Sequence, residues 1–229
     1  GTYILKGDSF KLKKGQRITL VDSSGSGKST IIKILTKAYT GYRGSITRNG
    51  VELSSIPLKK INEIVSLMQQ DFFMFNDTVG FNISLGRGAI KHEDVEKAAS
   101  FVYADKFVRE LPEEYDYQIQ DNGANLSKGQ AQLVSFARSI CGESELIILD
   151  EATSAVDSLT ETYIQKAIEN IFSQKTVIAV AHRLSTIKNS DLILVLENGE
   201  IIEQGNHNEL AQAGGKYAQL LNEFANQEV

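Results

Sequence analysis

Short runs of apolar, often β-branched residues alternate along this chain with segments in which apolar residues recur at helical spacing. The short runs predict buried strands, and the periodic segments predict helices that pack one face against them. The predicted strands are residues 17–21, 65–68, 146–149, 176–180 and 192–196. The predicted helices are residues 29–38, 91–109, 128–140 and 160–172. This alternation indicates the α/β fold class, in which helices cover both faces of a parallel sheet.

Two regions depart from this alternation. Residues 1–50 are rich in strand patterns, with turn signals at Gly15 and at Asn49-Gly50, and the Asn-Gly pair is a hairpin signal. Residues 71–141 are mainly helical, which predicts a helical subdomain inserted into the sheet-containing core. The expected division is a core of residues 1–70 and 142–229 and a subdomain of residues 71–141, all within a single domain, 1–229.

Composition argues against several classes of function. The net charge is −5, which argues against nucleic acid as the main partner. Cys141 is the single cysteine, so no intramolecular disulfide is possible, as suits a reducing compartment. No stretch approaches the roughly 18 apolar residues that a membrane span needs. The first residues, from Gly1 to Leu5, have no signal-peptide pattern and are typical of the middle of a longer chain.

A glycine-rich turn joins the first predicted strand to the first predicted helix. It matches the phosphate-binding pattern G-x-x-x-x-G-K-[ST] except at the first position, where Asp22 replaces glycine. Backbone N–H groups of such a turn converge on phosphate, the lysine reaches the outer phosphates of a nucleoside triphosphate, and the next hydroxyl binds Mg²⁺. The predicted nucleotide-binding residues are Ser23, Ser24, Gly25, Ser26, Gly27, Lys28, Ser29 and Thr30. Lys28 is also a predicted catalytic residue, and Ser29 a predicted Mg²⁺ ligand.

Asp22 has two interpretations. It opens the loop, away from the tight phosphate contacts expected near Gly27 and Lys28, so we expect its carboxylate to point outward and to be tolerated. The alternative is a carboxylate that faces the triphosphate and repels it. In that case Asp22→Gly should bind the nucleotide more tightly.

Two acids directly follow the apolar run of residues 146–149. In an open α/β sheet, ligands bind at the carboxyl ends of the strands. Asp150 is therefore a predicted Mg²⁺ ligand and nucleotide-binding residue. Glu151 is the predicted catalytic residue that orients or deprotonates an attacking water. A solvated acidic loop is the alternative, but a phosphate-binding loop in the same predicted sheet favours the site.

The segment from Asn125 to Gln130 lies between these two motifs and resembles the L-S-G-G-Q signature of ABC-transporter ATP-binding domains. Ser127 and Gly129 could form a second anion site at the start of the following helix. In the family, this element contacts the γ-phosphate held by the facing domain, so the resemblance implies a head-to-tail dimer around two ATP molecules. Lys128 replaces the first signature glycine, and we expect its side chain to point outward. The signature residues are Ser127, Lys128, Gly129 and Gln130.

Three further motifs resemble those of the same family. Gln70 resembles the Q-loop glutamine that contacts Mg²⁺ and the attacking water, although Gln69 stands where proline is usual. Ser154 and Asp157 resemble the D-loop, which crosses the dimer interface. His182 follows a predicted strand and resembles the switch histidine that contacts the γ-phosphate. The resemblance implies that Gln70 and His182 are both catalytic and nucleotide-binding, and that Gln70 also contacts Mg²⁺.

The resemblance covers essentially the whole chain and is closest to exporters. Residues 115–123 are similar to the x-loop region of exporters, with Gln120 and Asp121 in place of the usual Gly-Glu, and residues 196–207 resemble the exporter ending. This implies a membrane domain upstream on the same polypeptide and a location on the cytoplasmic side of a membrane.

An apolar patch follows Gln70, and four large apolar residues in a row fit neither an amphipathic helix nor an alternating strand. We expect Phe72, Phe73 and Phe75 to dock against the membrane domain. The alternative is a loop folded into the core.

The implied fold is a P-loop NTPase core, a parallel sheet flanked by helices, with an N-terminal antiparallel β subdomain and an inserted α-helical signature subdomain. The implied activity is hydrolysis of ATP to ADP and phosphate, with ATP and Mg²⁺ as cofactors and a second ABC ATPase domain as partner. Three alternatives stay open: a regulatory subunit in which Asp22 limits turnover, a non-transport ABC protein, and the stand-alone ATPase of an importer. The short spacing from Lys28 to Ser127 leaves no room for the coiled coil of DNA-organising members, and the exporter-like ending disfavours an importer.

Overall fold

The computed structural model describes residues 4–22, 27–69, 72–150, 157–181 and 183–227. The helices of this part of the chain are α1 (Lys28–Leu35), α2 (Leu58–Ile64), α3 (Val79–Ser84), α4 (His92–Phe101), α5 (Asp105–Val108), α6 (Lys128–Ile140), α7 (Ser158–Gln174), α8 (Leu184–Lys188), α9 (His207–Ala213) and α10 (Lys216–Gln227). The strands are β1 (Arg17–Asp22), β2 (Thr47–Arg48), β3 (Val51–Glu52), β4 (Val65–Met68), β5 (Leu146–Asp150), β6 (Val177–Val180), β7 (Leu192–Glu197) and β8 (Glu200–Gly205).

Six of these strands form one sheet in the order β4-β5-β6-β1-β7-β8. β1 pairs in parallel with β6 and β7, and β5 pairs in parallel with β6, whereas β8 is antiparallel to β7. Leu20 of β1 and Asp150 of β5 both pair with Val180 of β6. The carboxyl ends of β1 and β5 therefore lie at the same edge of the sheet, where ligands bind in open α/β sheets.

Apolar layers cover both faces of the central strand. Ile18 and Leu20 belong to a core cluster that includes Ile32 of α1. Val21 belongs to a second cluster, which includes Tyr217 of α10. Because side chains alternate between the two faces of a strand, a strand covered on both sides is apolar throughout. This explains why Ile18, Leu20 and Val21 are all apolar, while the buried Thr19 between them satisfies its hydroxyl by a hydrogen bond with Ser190.

The chain divides into two compact units. The sheet unit consists of the described residues of 1–67, 145–151 and 175–229, and the helical unit consists of those of 68–144 and 152–174. The helical unit thus contains α7 in addition to the segment 71–141 expected from the sequence. Within it, α6 packs against α3, α4 and α7, and buries Leu133, Val134 and Phe136.

The structure confirms most of the predicted regular elements. The five predicted strands are β1, β4, β5, β6 and β7, with small shifts at their ends, and the predicted helices at 128–140 and 160–172 are α6 and α7. The hairpin predicted at Asn49-Gly50 joins β2 to β3. Both turn residues have positive φ, which is the backbone geometry that an Asn-Gly hairpin turn requires.

Two predictions of regular structure were wrong. The strand-rich interpretation of residues 1–50 fails for residues 4–16, which contain no strand. That segment is held by isolated hydrogen bonds, from Lys6 N to Gly199 O at 2.8 Å and from Ile201 N to Asp8 Oδ1 at 2.7 Å. The helix predicted over 91–109 is divided into α4 and α5, because Tyr103 lies between them with a φ of 62°.

Candidate functional site

The phosphate-binding loop leaves β1 at Asp22 and enters α1 at Lys28. Ser23, Ser24, Gly25 and Ser26 lie outside the described residues, so their predicted contacts stay predictions. Gly27 is the N-cap of α1, with a φ of 111°, a conformation that a side chain would strain. A Cβ at this position would also lie 2.6 Å from Leu5 Cδ2. The backbone geometry therefore favours glycine here, and a side chain would also force Leu5 to move.

The first turn of α1 offers a place for an anion. A glycine N-cap supplies no side-chain oxygen to the leading N–H groups of a helix, and an anion can take that position. Thr30 N and Ile31 N donate to Gly27 O, each at 3.0 Å, so the turn itself is closed. Ser29 is exposed at the start of the helix. This arrangement suits phosphate at the start of α1.

The Asp22 carboxylate contacts the Lys28 ammonium group in an ion pair. Only 3% of the Asp22 side chain and 14% of the Lys28 side chain are exposed. The outward orientation expected for Asp22 from the sequence is therefore wrong. The reason is geometric: the last residue of β1 and the first residue of α1 begin and end the same short loop, and this brings the two opposite charges together.

Lys28 is also under the influence of a second carboxylate. Burial lowers the pKa of Lys28 to about 8, and the nearby Asp150 carboxylate acts in the opposite direction by favouring the charged form. Asp150 is the last residue of β5, at the same sheet edge as Asp22. The lysine that was predicted to bind phosphate thus belongs to a cluster with two acidic side chains.

The donors at this edge fit Mg²⁺. Across the described ranges, no group of three or more His, Cys, Asp and Glu side chains comes together as a metal cage. Mg²⁺ does not need one, because it is usually held by one or two protein oxygens together with water and substrate phosphates. The Ser29 hydroxyl and the Asp150 carboxylate supply two such oxygens in the sheet unit, and both are hard donors of the kind that this ion prefers.

The signature segment lies in the helical unit, where Ser127 is the N-cap of α6. Gln130 N donates to Ser127 Oγ at 3.1 Å, and Ser127 N donates to Gln130 Oε1 at 3.0 Å. Ser127 and Lys128 are exposed, and Gly129 is buried. The exposure of Lys128 agrees with the expectation that its side chain points outward. Ser127 is thus presented to solvent at the positive end of a helix dipole.

Gln70, Glu151, Ser154 and His182 also lie outside the described part of the chain, so their predicted roles stay predictions. Asp157 is described. Its Oδ1 accepts a hydrogen bond from Thr160 N at 2.9 Å, and this bond lowers the pKa of the Asp157 carboxyl. Asp157 is exposed and ties down the first turn of α7. Its predicted place in a dimer interface stays a prediction.

The aromatic patch after residue 71 is partly exposed. Phe72 is half-buried, whereas 57% of Phe73 and 41% of Phe75 are exposed. The Phe73 and Phe75 rings meet edge to face, with centroids 4.9 Å apart. Met74 between them is 1% exposed, so the segment is anchored through Met74 and presents the two rings outward. The core alternative therefore applies to Met74 and does not apply to Phe73.

The polar groups that hold this patch were not predicted from the sequence. Arg138 of α6 donates to Phe73 O at 2.8 Å and to Asn82 O at 2.7 Å. Asn82 is fully buried and, through its side-chain amide, bonds both the N–H and the C=O of Phe75, at 2.8 and 3.0 Å. The signals that could have indicated these hydrogen bonds were an Asn within an apolar stretch and an Arg in the helix that follows the signature segment. The backbone of the patch is therefore fixed from two helices.

None of the helices that the structure describes combines the length and the apolar character needed to cross a membrane.

Comparison with known proteins agrees with this geometry. A family model described as "ABC transporter" matches residues 5–154. The chain is similar to the ATP-dependent lipid A-core flippase of Legionella pneumophila, with 43% identity over 220 residues, which are 96% of this chain and 37% of the flippase. It is also similar to Heavy metal tolerance factor 1 of Caenorhabditis elegans, with 41% identity over 220 residues, which are 96% of this chain and 28% of that protein.

A solved structure is similar over the same extent. It is described as a bacterial Atm1-family ABC exporter with ATP bound, and it matches with a TM-score of 0.86 and 37% identity. The match covers 96% of this chain and 38% of the exporter chain. This chain therefore spans well under half the length of the proteins to which it is similar.

Proposed function

Since the chain belongs to the ABC transporter family and is an ATP-binding ATPase domain of that family, we propose that it powers export of a substrate across a membrane. The observation that carries this proposal is the grouping of Lys28, Ser29 and Asp150 at the start of α1 and the carboxyl end of β5. A cation, a hydroxyl and a carboxylate beside a glycine-capped helix start form a site for a phosphate chain and its metal.

Catalysis would depend on positioning and on charge neutralisation. The N–H groups at the start of α1 and the Lys28 ammonium would hold the β- and γ-phosphates. Ser29, Asp150 and Gln70 would hold Mg²⁺, whose charge offsets that of the phosphates when it is bound. Glu151 would orient a water molecule and accept its proton as the water oxygen bonds to the γ-phosphorus and the bond to ADP breaks. His182 would contact the γ-phosphate.

A second ATPase domain would complete the site. The Ser127 hydroxyl accepts a hydrogen bond from Gln130 N, and a serine hydroxyl that accepts one bond still has its own proton to donate. Ser127 of the facing domain can therefore donate to the γ-phosphate without losing its cap on α6. The backbone N–H of Gly129 would assist, and Ser154 and Asp157 would cross the interface. ATP would then join two domains head to tail.

The partner on the other side would be a membrane domain. Exposed Phe73 and Phe75 form a patch whose backbone is fixed by Arg138 and Asn82, and a fixed apolar surface suits docking of another protein segment. Phe72 would lie at the margin of this contact. The ATPase domain would then be on the cytoplasmic side of the membrane, with no role for nucleic acid.

Replacement of Glu151 by Gln tests the proposal. Glu151→Gln keeps the size and polarity of the side chain but removes the base, so ATP should still bind while phosphate release is abolished. Glu143→Gln is the matched control, because Glu143 is exposed and should leave turnover unchanged. If the unmodified protein releases phosphate rapidly and Glu151→Gln does so at the same rate, the assignment of the base is refuted.

A second candidate function is favoured by one observation, the Asp22–Lys28 ion pair. A regulatory subunit of a heterodimeric transporter would bind ATP and turn it over slowly. The same experiment separates the two candidates: a regulatory subunit would release phosphate as slowly as its own Glu151→Gln variant, whereas a working ATPase would be much faster.

A further inference from the structure

Asp22 and Lys28 are held close together by the elements that carry them. Asp22 pairs with Leu196 in the parallel register of β1 and β7, which fixes its backbone, and Lys28 is the first residue of α1. Their side chains are nearly buried, at 3% and 14% exposure. The ion pair is therefore determined by the positions of β1 and α1, and it differs from a contact between two exposed, flexible side chains.

The position makes this contact relevant to nucleotide. Phosphate-binding loops place glycine where this chain has Asp22, and glycine has no side chain that could reach the lysine. Here the Asp22 carboxylate already forms an ion pair with the Lys28 ammonium group, which the proposed function assigns to the β- and γ-phosphates. Phosphate oxygens and the Asp22 carboxylate are both anionic acceptors, so they compete for the same donor.

The local charge follows from three residues. With a negative charge on each of Asp22 and Asp150 and a positive charge on Lys28, the group carries one net negative charge. With glycine at position 22 the sum would be zero. A triphosphate that approaches the site with Asp22 in place is therefore repelled. Mg²⁺ reduces this repulsion because it cancels part of the negative charge of the triphosphate.

We propose that Asp22 is an affinity-determining residue of the nucleotide site: its carboxylate occupies Lys28 until nucleotide displaces it, and this makes the site select Mg²⁺-bound triphosphate over the free triphosphate. This inference rests on the proposed function, because it needs ATP to bind at Lys28. When phosphate takes Lys28, the nearly buried Asp22 carboxylate loses this partner, and a buried carboxylate that loses a cation is destabilised. Mg²⁺ next to the phosphates lowers that penalty.

The test is equilibrium binding of ATP to the full-length protein in a Glu151→Gln background, which prevents hydrolysis, measured with Mg²⁺ and again with EDTA. Three variants are compared with the unmodified protein: Asp22→Asn, which removes the charge but keeps the shape, Asp22→Gly, which restores the pattern, and Asp22→Glu, which keeps the charge. The measured quantity is the ratio of the dissociation constant in EDTA to that in Mg²⁺. Thermal unfolding checks that each variant is folded.

We expect Asp22→Asn and Asp22→Gly to bind free ATP roughly 10- to 100-fold more tightly, with a smaller gain for Mg²⁺-ATP, so that the ratio falls by about tenfold. Asp22→Glu should keep the high ratio. An unchanged ratio in both uncharged variants would overturn this inference and leave the proposed function standing. Failure of every form to bind ATP in Mg²⁺ would overturn the proposed function, and this inference with it.

Discussion

Ser127 and Gln130 are joined by two reciprocal hydrogen bonds at the start of α6, each at about the ideal length: 3.1 Å from Gln130 N to Ser127 Oγ and 3.0 Å from Ser127 N to Gln130 Oε1. This capping box stabilises the helix that carries the signature segment. Ser127 therefore has a structural role within its own domain and a proposed role on the nucleotide of another. The two roles can be separated by substitution.

Ser127→Asp should keep the first role and lose the second. Aspartate is as good an N-cap as serine and is favoured by the helix dipole, so stability should change by only a few tenths of a kcal/mol. Its negative charge would face the γ-phosphate of the partner, so ATP should no longer join two domains. Dimer formation is measured by light scattering with ATP in a Glu151→Gln background, which prevents hydrolysis.

Gln130→Ala is the control for this substitution. It removes the bond that Gln130 Oε1 accepts from Ser127 N, which should reduce stability by about 1 kcal/mol, but it leaves the Ser127 hydroxyl in place and should therefore reduce dimer formation much less than Ser127→Asp does. A Ser127→Asp protein that dimerises with ATP as well as the unmodified protein would show that Ser127 does not contact the partner's nucleotide.

The capping box shows what the sequence could predict. Ser127 followed three residues later by Gln130, before an apolar segment with helical spacing, is a local signal, and α6 begins where this signal places it. The buried strands β1 and β5 were predictable for a similar reason, since short, largely apolar runs rich in β-branched residues are typical of buried strands.

Side-chain direction at the site was not predictable. The residues around Asp22 do not reveal whether its carboxylate points to water or to Lys28. The direction depends on where α1 begins relative to the end of β1. The break between α4 and α5 was missed because Tyr103 adopts a φ of 62°, which a non-glycine residue rarely does.

Asn82 is expected to be one of the most sensitive polar positions of the helical unit. Its amide oxygen accepts from Phe75 N at 2.8 Å and from Arg138 Nη2 at 3.1 Å, and its amide nitrogen donates to Thr78 O at 2.9 Å. Asn82→Ala leaves several buried polar groups without this partner, each worth about 1–3 kcal/mol, so the free energy of unfolding should fall by roughly 2–4 kcal/mol. Chemical denaturation measures this change.

The matched control is Asn62→Ala, because Asn62 is an exposed residue of α2 and its removal should change stability by less than about 0.5 kcal/mol. Asn82→Asp is a second variant that keeps the acceptor for Phe75 N and Arg138 while it removes the two donors. It should lie between the alanine variant and the unmodified protein. Equal stability of Asn82→Ala and Asn62→Ala would contradict the proposed importance of the network.

Asp191 predicts a pH dependence of stability. Arg17 donates to the Asp191 carboxylate through its backbone N at 2.8 Å, through Nε at 2.9 Å and through Nη2 at 2.8 Å, and this joins the starts of β1 and β7. The side-chain hydrogen bond from Arg17 lowers the pKa of Asp191 below its ordinary value of 3.8. The unfolded chain therefore binds a proton at higher pH than the folded chain does, and stability falls as the solution is acidified.

The stabilisation by Asp191 is complete above the ordinary pKa of the carboxyl group, and it disappears as the pH falls through the lower pKa that Asp191 has in the folded protein. Asp191→Asn should therefore unfold more easily at pH 7, by about 1 kcal/mol for a pair that is partly screened by solvent, and the difference should shrink below about pH 4. Urea denaturation at pH 7 and at pH 3 measures it. Asp116→Asn changes an exposed carboxylate and should match the unmodified protein at pH 7. A constant difference at both pH values would rule out the ionised carboxylate as its cause.

Phe73 provides the test of coupling to a membrane domain. Because 57% of its side chain is exposed, Phe73→Ser should alter the stability and the basal ATPase rate of this domain very little. In the full-length protein, loss of an apolar side chain from the docking surface should uncouple the ATPase domain from the membrane domain. Substrate export and the stimulation of ATPase activity by substrate should then both fall strongly. The matched control is Leu58→Ser at the start of α2, where 53% of the side chain is exposed. Serine at residue 58 should leave export intact, because this residue lies outside the aromatic patch. If Phe73→Ser and Leu58→Ser export substrate equally well, Phe73 does not dock against a membrane domain and is an ordinary exposed residue.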